Sequence, residues 1–217
     1  MISIVVFDCD GTLVDCSRMI ALLRRGYHRL YPRRPRLPYA HFVPCYSMST
    51  AQMLAYLHVP MADADRLSAA AFGSHGEYMQ DTELFERIPE LFHALHAAGI
   101  RLGINTSRDR ATFDLLKPQL NDAYDLLEDA LIITSEQLTH PKPHPQSLFL
   151  LQQRSGCRME EILFVGDSSH DAACAEAAGC PFAYALWGAV HREEEVPCRY
   201  RVDEPWQLLE LVSRENR

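Results

Sequence analysis

Apolar and polar positions alternate along this chain in blocks. Residues 2–7 form a β-branched apolar run stopped by Asp8-Cys9-Asp10-Gly11, which predicts a buried strand ending in a turn. Residues 100–105 predict a second strand, preceded by an amphipathic helix over about 89–98 with Gly99 as its C-cap. Residues 131–133 give a third strand, and residues 162–165 a fourth that runs into Gly166-Asp167. An alanine-rich helix over about 169–178, closed by Gly179, leads to a fifth strand at 182–185. Strands alternating with helices of about ten residues predict an α/β fold, a Rossmann-like parallel sheet covered on both faces.

Residues 15–82 break that rhythm. They read as several helices with no apolar strand, interrupted by the Pro/Arg-rich stretch 31–38. The expected organisation is therefore a core of residues 1–14 and 83–217 with a helical insertion at 15–82.

Charge divides along the same line. The 217 residues carry a formal charge of −8, with 19 arginines and only two lysines, Lys117 and Lys142. Between Cys16 and Ala62 there are seven arginines and no acid. Over 16–82 eight arginines face four acids, so the insert is +4 and the rest of the chain −12. Net acidity argues against nucleic acid or an anionic membrane as the partner of the whole molecule, though not against a local basic face. With 47% apolar residues the chain is of ordinary globular type, and no stretch is long enough to span a membrane. No secretory signal is legible, and seven scattered cysteines without a C-x-x-C pair suggest reduced thiols and a cytoplasmic protein.

In an open α/β sheet, ligands bind beyond the carboxyl ends of the strands. Four polar clusters fall there: Asp8-x-Asp10-Gly11-Thr12, Thr106-Ser107, Lys142, and Asp167-x-x-x-Asp171. Asp8 and Asp10, two apart, face one side of an extended segment, and their mutual repulsion is relieved by a hard divalent cation such as Mg²⁺. Asp167 completes that site from another strand. Lys142 supplies a compact positive charge, Thr106 a hydroxyl donor, and Gly11 the close backbone approach that a phosphate needs. The chemical logic is phosphoryl transfer, with one carboxylate as nucleophile and a second as general acid and base.

Residues 7–15, Phe-Asp-Cys-Asp-Gly-Thr-Leu-Val-Asp, resemble the first motif of the haloacid dehalogenase superfamily of phosphohydrolases. Residues 102–107 are similar to its second motif, 141–145 to its third and 165–171 to its fourth, in the family's order and spacing. The insert matches the family's C1-type helical cap, and the phosphoglycolate phosphatase-like subgroup is the nearest. The resemblance implies a Mg²⁺-dependent phosphatase acting on a small phosphorylated metabolite. It assigns Asp8 as nucleophile and metal ligand, and Asp10 as acid/base with its backbone carbonyl on the metal. Thr106, Ser107, Gly11 and Lys142 hold the phosphoryl group, Asp167 binds the metal, and Asp171 supports the site from behind. A phosphomutase of the β-phosphoglucomutase type is the alternative within the same chemistry, and an Arg-rich polyanion-binding protein the alternative outside it. A dehalogenase would need neither Asp10 nor Mg²⁺. A phosphonate hydrolase would need a cap lysine, and none precedes Lys117.

The remaining polar residues have plainer expectations. Cys9 packs, His144 shapes a loop, His170 sits exposed in a first helical turn, and Asp15 caps the next helix. Lys117 is a charge near a helix C-terminus. The loop at 42–49 lacks the glycine usual in the family's caps, so substrate identity does not carry over.

Overall fold

The computed structural model describes residues 1–48, 50–73, 83–188 and 196–217. The chain divides into two compact units, Met1–Asp15 with Glu83–Arg217, and Cys16–Thr82.

The larger unit is built on a six-stranded sheet: β1 (Ile4–Phe7), β4 (Arg101–Asn105), β5 (Leu127–Ile133), β6 (Ile162–Gly166), β7 (Phe182–Ala185) and β8 (Tyr200–Val202). Two short strands, β2 (Val14–Asp15) and β3 (Glu83–Leu84), pair antiparallel beside it. The sheet order is β5-β4-β1-β6-β7-β8, and every neighbouring pair is parallel. The α/β fold with a Rossmann-like parallel sheet is thus present. All four residues of β1 are fully buried, as a central strand covered on both faces requires. Ile4 and Val6 share a core with Leu131, Ile133, Leu148, Leu151, Phe164 and Phe182.

This order puts the chain's reversal at β1. From β1 the sheet grows outward through β4 and β5, then returns to β6 on the other side. Such a switch point opens a crevice beyond the strand ends, with Asp8, Thr106 and Asp167 following β1, β4 and β6.

The predicted helix at 169–178 is observed as Ser169–Ala178, and that at 89–98 as Ile88–Ala97. Gly99 (φ +79°) lies just past the second of these, where its amide bonds the His96 carbonyl. Several details differ from expectation. Asp15 belongs to β2, and Cys16 holds the N-cap position of the helix Ser17–Leu30. Lys117 opens the short helix Lys117–Leu120 instead of closing one, and pairs with Asp114 at 3.3 Å. β8 and the C-terminal helix Gln207–Glu215 have no counterpart among the expected elements. β8 is three residues long with Arg201 at its centre, too short and too polar for a period-2 signal.

The smaller unit contains the helices Ser17–Leu30, Thr50–Tyr56 and Ala64–Phe72. Gly26 brings two of them together: a Cβ there would lie 2.5 Å from the Ala71 Cα. Two of the insert's arginines are structural. Arg34 stacks 4.0 Å from the Tyr31 ring centre and donates to the Leu57 carbonyl, while Arg24 donates to the Leu37 carbonyl. The basic stretch is therefore partly internal scaffolding, while Arg18, Arg25, Arg29, Arg33 and Arg36 are exposed. In the loop at 42–49, Phe42 and Cys45 are buried, and Ser49 lies outside the described residues, as do residues 74–82 of the insert.

Candidate active site

β1 delivers Asp8 into the crevice because its apolar run ends one residue earlier. The Asp8 amide is still tied to the sheet, donating to the Val165 carbonyl at 2.8 Å. The chain then turns sharply, with the amides of Thr12, Leu13 and Val14 all directed to the Cys9 carbonyl. Gly11 adopts φ +81°, a left-handed conformation that favours glycine, and its own amide is committed to the Val14 carbonyl at 2.9 Å. Gly188 closes on the same turn: a Cβ there would meet the Gly11 carbonyl oxygen at 1.5 Å. The neighbouring Trp187 indole donates to the Thr12 carbonyl at 2.9 Å.

Lys142 is the electrostatic centre. Its buried ammonium donates to Asp8 Oδ1 at 2.7 Å, to Asp171 Oδ1 at 2.7 Å and to the Asn105 carbonyl at 3.1 Å, which uses all three of its hydrogens. Asp171 is fixed from its other oxygen by the Ser168 amide and hydroxyl, in a capping box at the start of the helix Ser169–Ala178. Gly166 makes room for it, since a Cβ there would lie 2.6 Å from the Asp171 side chain.

Asp8, Asp167 and Asp171 are all buried and place one oxygen each within 4.8 Å of one another. Three carboxylates crowd around one lysine, which pairs with Asp8 and Asp171. Burial first, then repulsion from Asp171, raises the Asp8 carboxyl to about 7, although Lys142 pulls it down. Burial, with Asp171 and Asp8 adding to it, raises Asp167 well above the usual carboxylate range. Burial disfavours the Lys142 ammonium, but Asp171 and Asp8 outweigh it and keep the lysine charged. Asp167 Oδ1 accepts from the Thr12 hydroxyl at 3.3 Å, while its buried Oδ2 has no hydrogen-bond partner. A crowd of hard oxygen donors, an excess of negative charge and an orphaned carboxylate oxygen fit a bound Mg²⁺.

Thr106 is buried. Its amide donates to the Ile133 carbonyl, and its hydroxyl accepts from the Arg108 amide at 3.1 Å, leaving the hydroxyl hydrogen for a ligand. Ser107 beside it is exposed. The carboxylate of Asp10 lies outside the Asp8–Asp167–Asp171 group and is held by Arg108, with Nε 2.8 Å from Oδ2 and Nη2 2.6 Å from Oδ1.

No local sequence pattern singles out Arg108, Trp187, Gly188 or Ser168 as neighbours of Asp8, Asp10 and Lys142. Arg108 stands two positions after Thr106, but nothing in its neighbours separates a buried arginine from an exposed one. Cys9 is fully buried packing, and burial raises its thiol far above the usual range. His144 does shape the loop after Lys142, stacking on His140 with ring centres 4.6 Å apart. His170 is a first-turn residue as expected, half-buried instead of exposed.

The family model of haloacid dehalogenase-like hydrolases matches residues 5–185. A phosphoglycolate phosphatase of Salmonella typhi is 33% identical over 85% of this chain and 81% of its own. The pyrophosphatase PpaX of Bacillus cereus is 28% identical over 100% and 99%. Among solved structures, a haloacid dehalogenase-superfamily hydrolase of Geobacter sulfurreducens superposes with a TM-score of 0.73 at 25% identity, covering 97% of this chain and 96% of that one.

Proposed function

This chain belongs to the haloacid dehalogenase-like hydrolase family and is a phosphatase, and we propose that it hydrolyses a small phosphomonoester with Mg²⁺ through an aspartyl-phosphate on Asp8. The observation that carries this reading is the buried Asp8–Asp167–Asp171 group, with Lys142 bridging Asp8 and Asp171 and one Asp167 oxygen unpartnered.

Lys142 donates to Asp8 Oδ1 and offsets the charge of the Asp8 carboxylate, one oxygen of which attacks phosphorus. The bond from Asp8 to phosphorus forms as the bond to the leaving oxygen breaks, and Asp10 gives that oxygen its proton. Asp10 then takes a proton from the water that attacks the aspartyl-phosphate, releasing inorganic phosphate and restoring Asp8. Thr106 and Ser107 donate to the phosphoryl oxygens, and Gly11 admits them closely. Lys142, with its hydrogens committed to Asp8, Asp171 and the Asn105 carbonyl, holds the phosphoryl group through its positive charge. Asp8, Asp167 and the backbone carbonyl of Asp10 hold the Mg²⁺. When bound, the cation neutralises charge on the carboxylates and the transferring group. Asp171 keeps Lys142 in place. The unit Cys16–Thr82 serves as the family's cap, selecting the substrate.

No described helix is long and apolar enough to cross a membrane. All seven cysteines are free, in keeping with a reducing, cytoplasmic setting.

The test is phosphate release from a panel of sugar phosphates, nucleotides, phosphoglycolate and pyrophosphate, with Mg²⁺ or with a chelator. Release that requires Mg²⁺ and is lost in Asp8→Asn is expected. Release unaffected by chelator, or undiminished in the variant, would overturn the mechanism.

A further inference from the structure

Arg108 lies on the loop after β4 with its backbone fixed on both sides. Its amide donates to Thr106 Oγ1 at 3.1 Å, and its carbonyl accepts from the Ser135 amide at 2.9 Å. The guanidinium is thereby anchored between a proposed phosphoryl-binding hydroxyl and the proposed acid. Its side chain is 6% exposed, against 36% for Asp10. A guanidinium so far removed from water needs a paired anion, and its planar fork matches the two oxygens of a carboxylate or phosphoryl group.

That geometry sets a conflict. Asp10 must present an oxygen to the leaving group, yet both of its oxygens accept from the same guanidinium. A neutral leaving group offers Arg108 nothing in exchange for Asp10. An anionic one does, because any substrate whose bridging oxygen reaches Asp10 brings the body of its leaving group next to Arg108.

We propose that Arg108 is the leaving-group anchor of this enzyme. It passes from Asp10 to a carboxylate or phosphoryl group whose central atom lies within two bonds of the bridging oxygen, and the exchange frees Asp10 to serve that oxygen. The inference rests on the reading of Asp8 and Asp10 above and adds the substrate class: phosphate esters or anhydrides whose leaving group bears a second negative charge. A carboxylate and a second phosphoryl group both satisfy the fork, and the choice between them is read out below.

The experiment compares kcat and KM of the full chain with Mg²⁺ on 2-phosphoglycolate, pyrophosphate and 2-hydroxyethyl phosphate, which keeps the ester but replaces the carboxylate by a neutral group. The wild type should favour at least one charged substrate over the neutral ester by about tenfold or more in kcat/KM, and the favoured one identifies the anion. Arg108→Gln should lose at least about tenfold more on that substrate than on the neutral ester, chiefly through KM. Arg108→Lys, which keeps the charge without the fork, should recover part of the difference. It also carries the test if Arg108→Gln does not fold, as judged by circular dichroism. Equal losses on all three substrates would reduce Arg108 to a residue that positions Asp10. Wild-type hydrolysis of the neutral ester as fast as both charged substrates would overturn the anchor and leave the phosphatase reading standing. Absence of hydrolysis of any phosphate ester by the wild type would remove both.

Discussion

Lys142 Nζ stands 2.7 Å from Asp8 Oδ1, across 134 positions of sequence, and both side chains are nearly closed to water. Removing the ammonium would leave Asp8 and Asp171 facing each other without a cation. Lys142→Met should therefore abolish phosphatase activity and lower stability by about 3–5 kcal/mol in metal-free buffer. Urea denaturation measures this, and an unchanged midpoint would contradict the shared-lysine arrangement.

Asp8→Asn keeps the shape and removes the nucleophile. Turnover should fall at least about a thousandfold, as for other groups that carry the chemical step. The metal-free fold should be no less stable than wild type, since one of three crowded carboxylates is gone. Residual turnover near the wild-type rate would rule out Asp8 as the attacking group.

The raised Asp8 carboxyl predicts how stability depends on pH. A carboxyl whose folded value, about 7, exceeds its unfolded value binds more protons in the folded state between those two values. Its stabilising contribution is full below about pH 4 and is lost as pH rises through 7. Asp167 acts in the same direction. From these two groups, metal-free protein should melt at lower temperature at pH 8 than at pH 5.5. Mg²⁺ should raise the melting temperature more at pH 8, because it binds the ionised carboxylates. Equal Mg²⁺ shifts at both pH values, in scanning calorimetry, would argue against these carboxylates as its ligands.

Gly188→Ala probes the turn after β1 from outside the proposed chemistry. Its Cβ would meet the Gly11 carbonyl oxygen at 1.5 Å, so either the turn that orients Asp8 and Asp10 or the segment carrying residue 188 must shift, and the prediction is for the first. A shift of about 1 Å in a reacting group costs on the order of a hundredfold in rate. A clear fall in kcat is expected with the far-ultraviolet circular dichroism retained. Wild-type kcat would mean that the turn tolerates displacement.

The sequence by itself determined the α/β class. An apolar strand, a polar break and a helix repeat with their own periods, and burial on both faces of a parallel sheet favours near-continuous apolar runs such as those of β1 and β6. It also determined which residue types stand at the strand ends, because Asp8, Thr106 and Asp167 each follow directly on a predicted strand. Local pattern reached the helix Ser169–Ala178, expected at about 169–178, from its alanines and its closing Gly179. It did not reach β8, which is held in place by pairing with β7 and has too few residues to show a period. Only the tertiary structure decided who pairs with whom. Asp10 goes to Arg108, 98 positions away, and Lys142 goes to both Asp8 and Asp171. A buried ion pair depends on desolvation and on the exact approach of two distant segments, and neither is written in the residues adjacent to either partner. The same holds for Gly188 against Gly11, where what matters is the absence of an atom at a contact that only the folded chain creates.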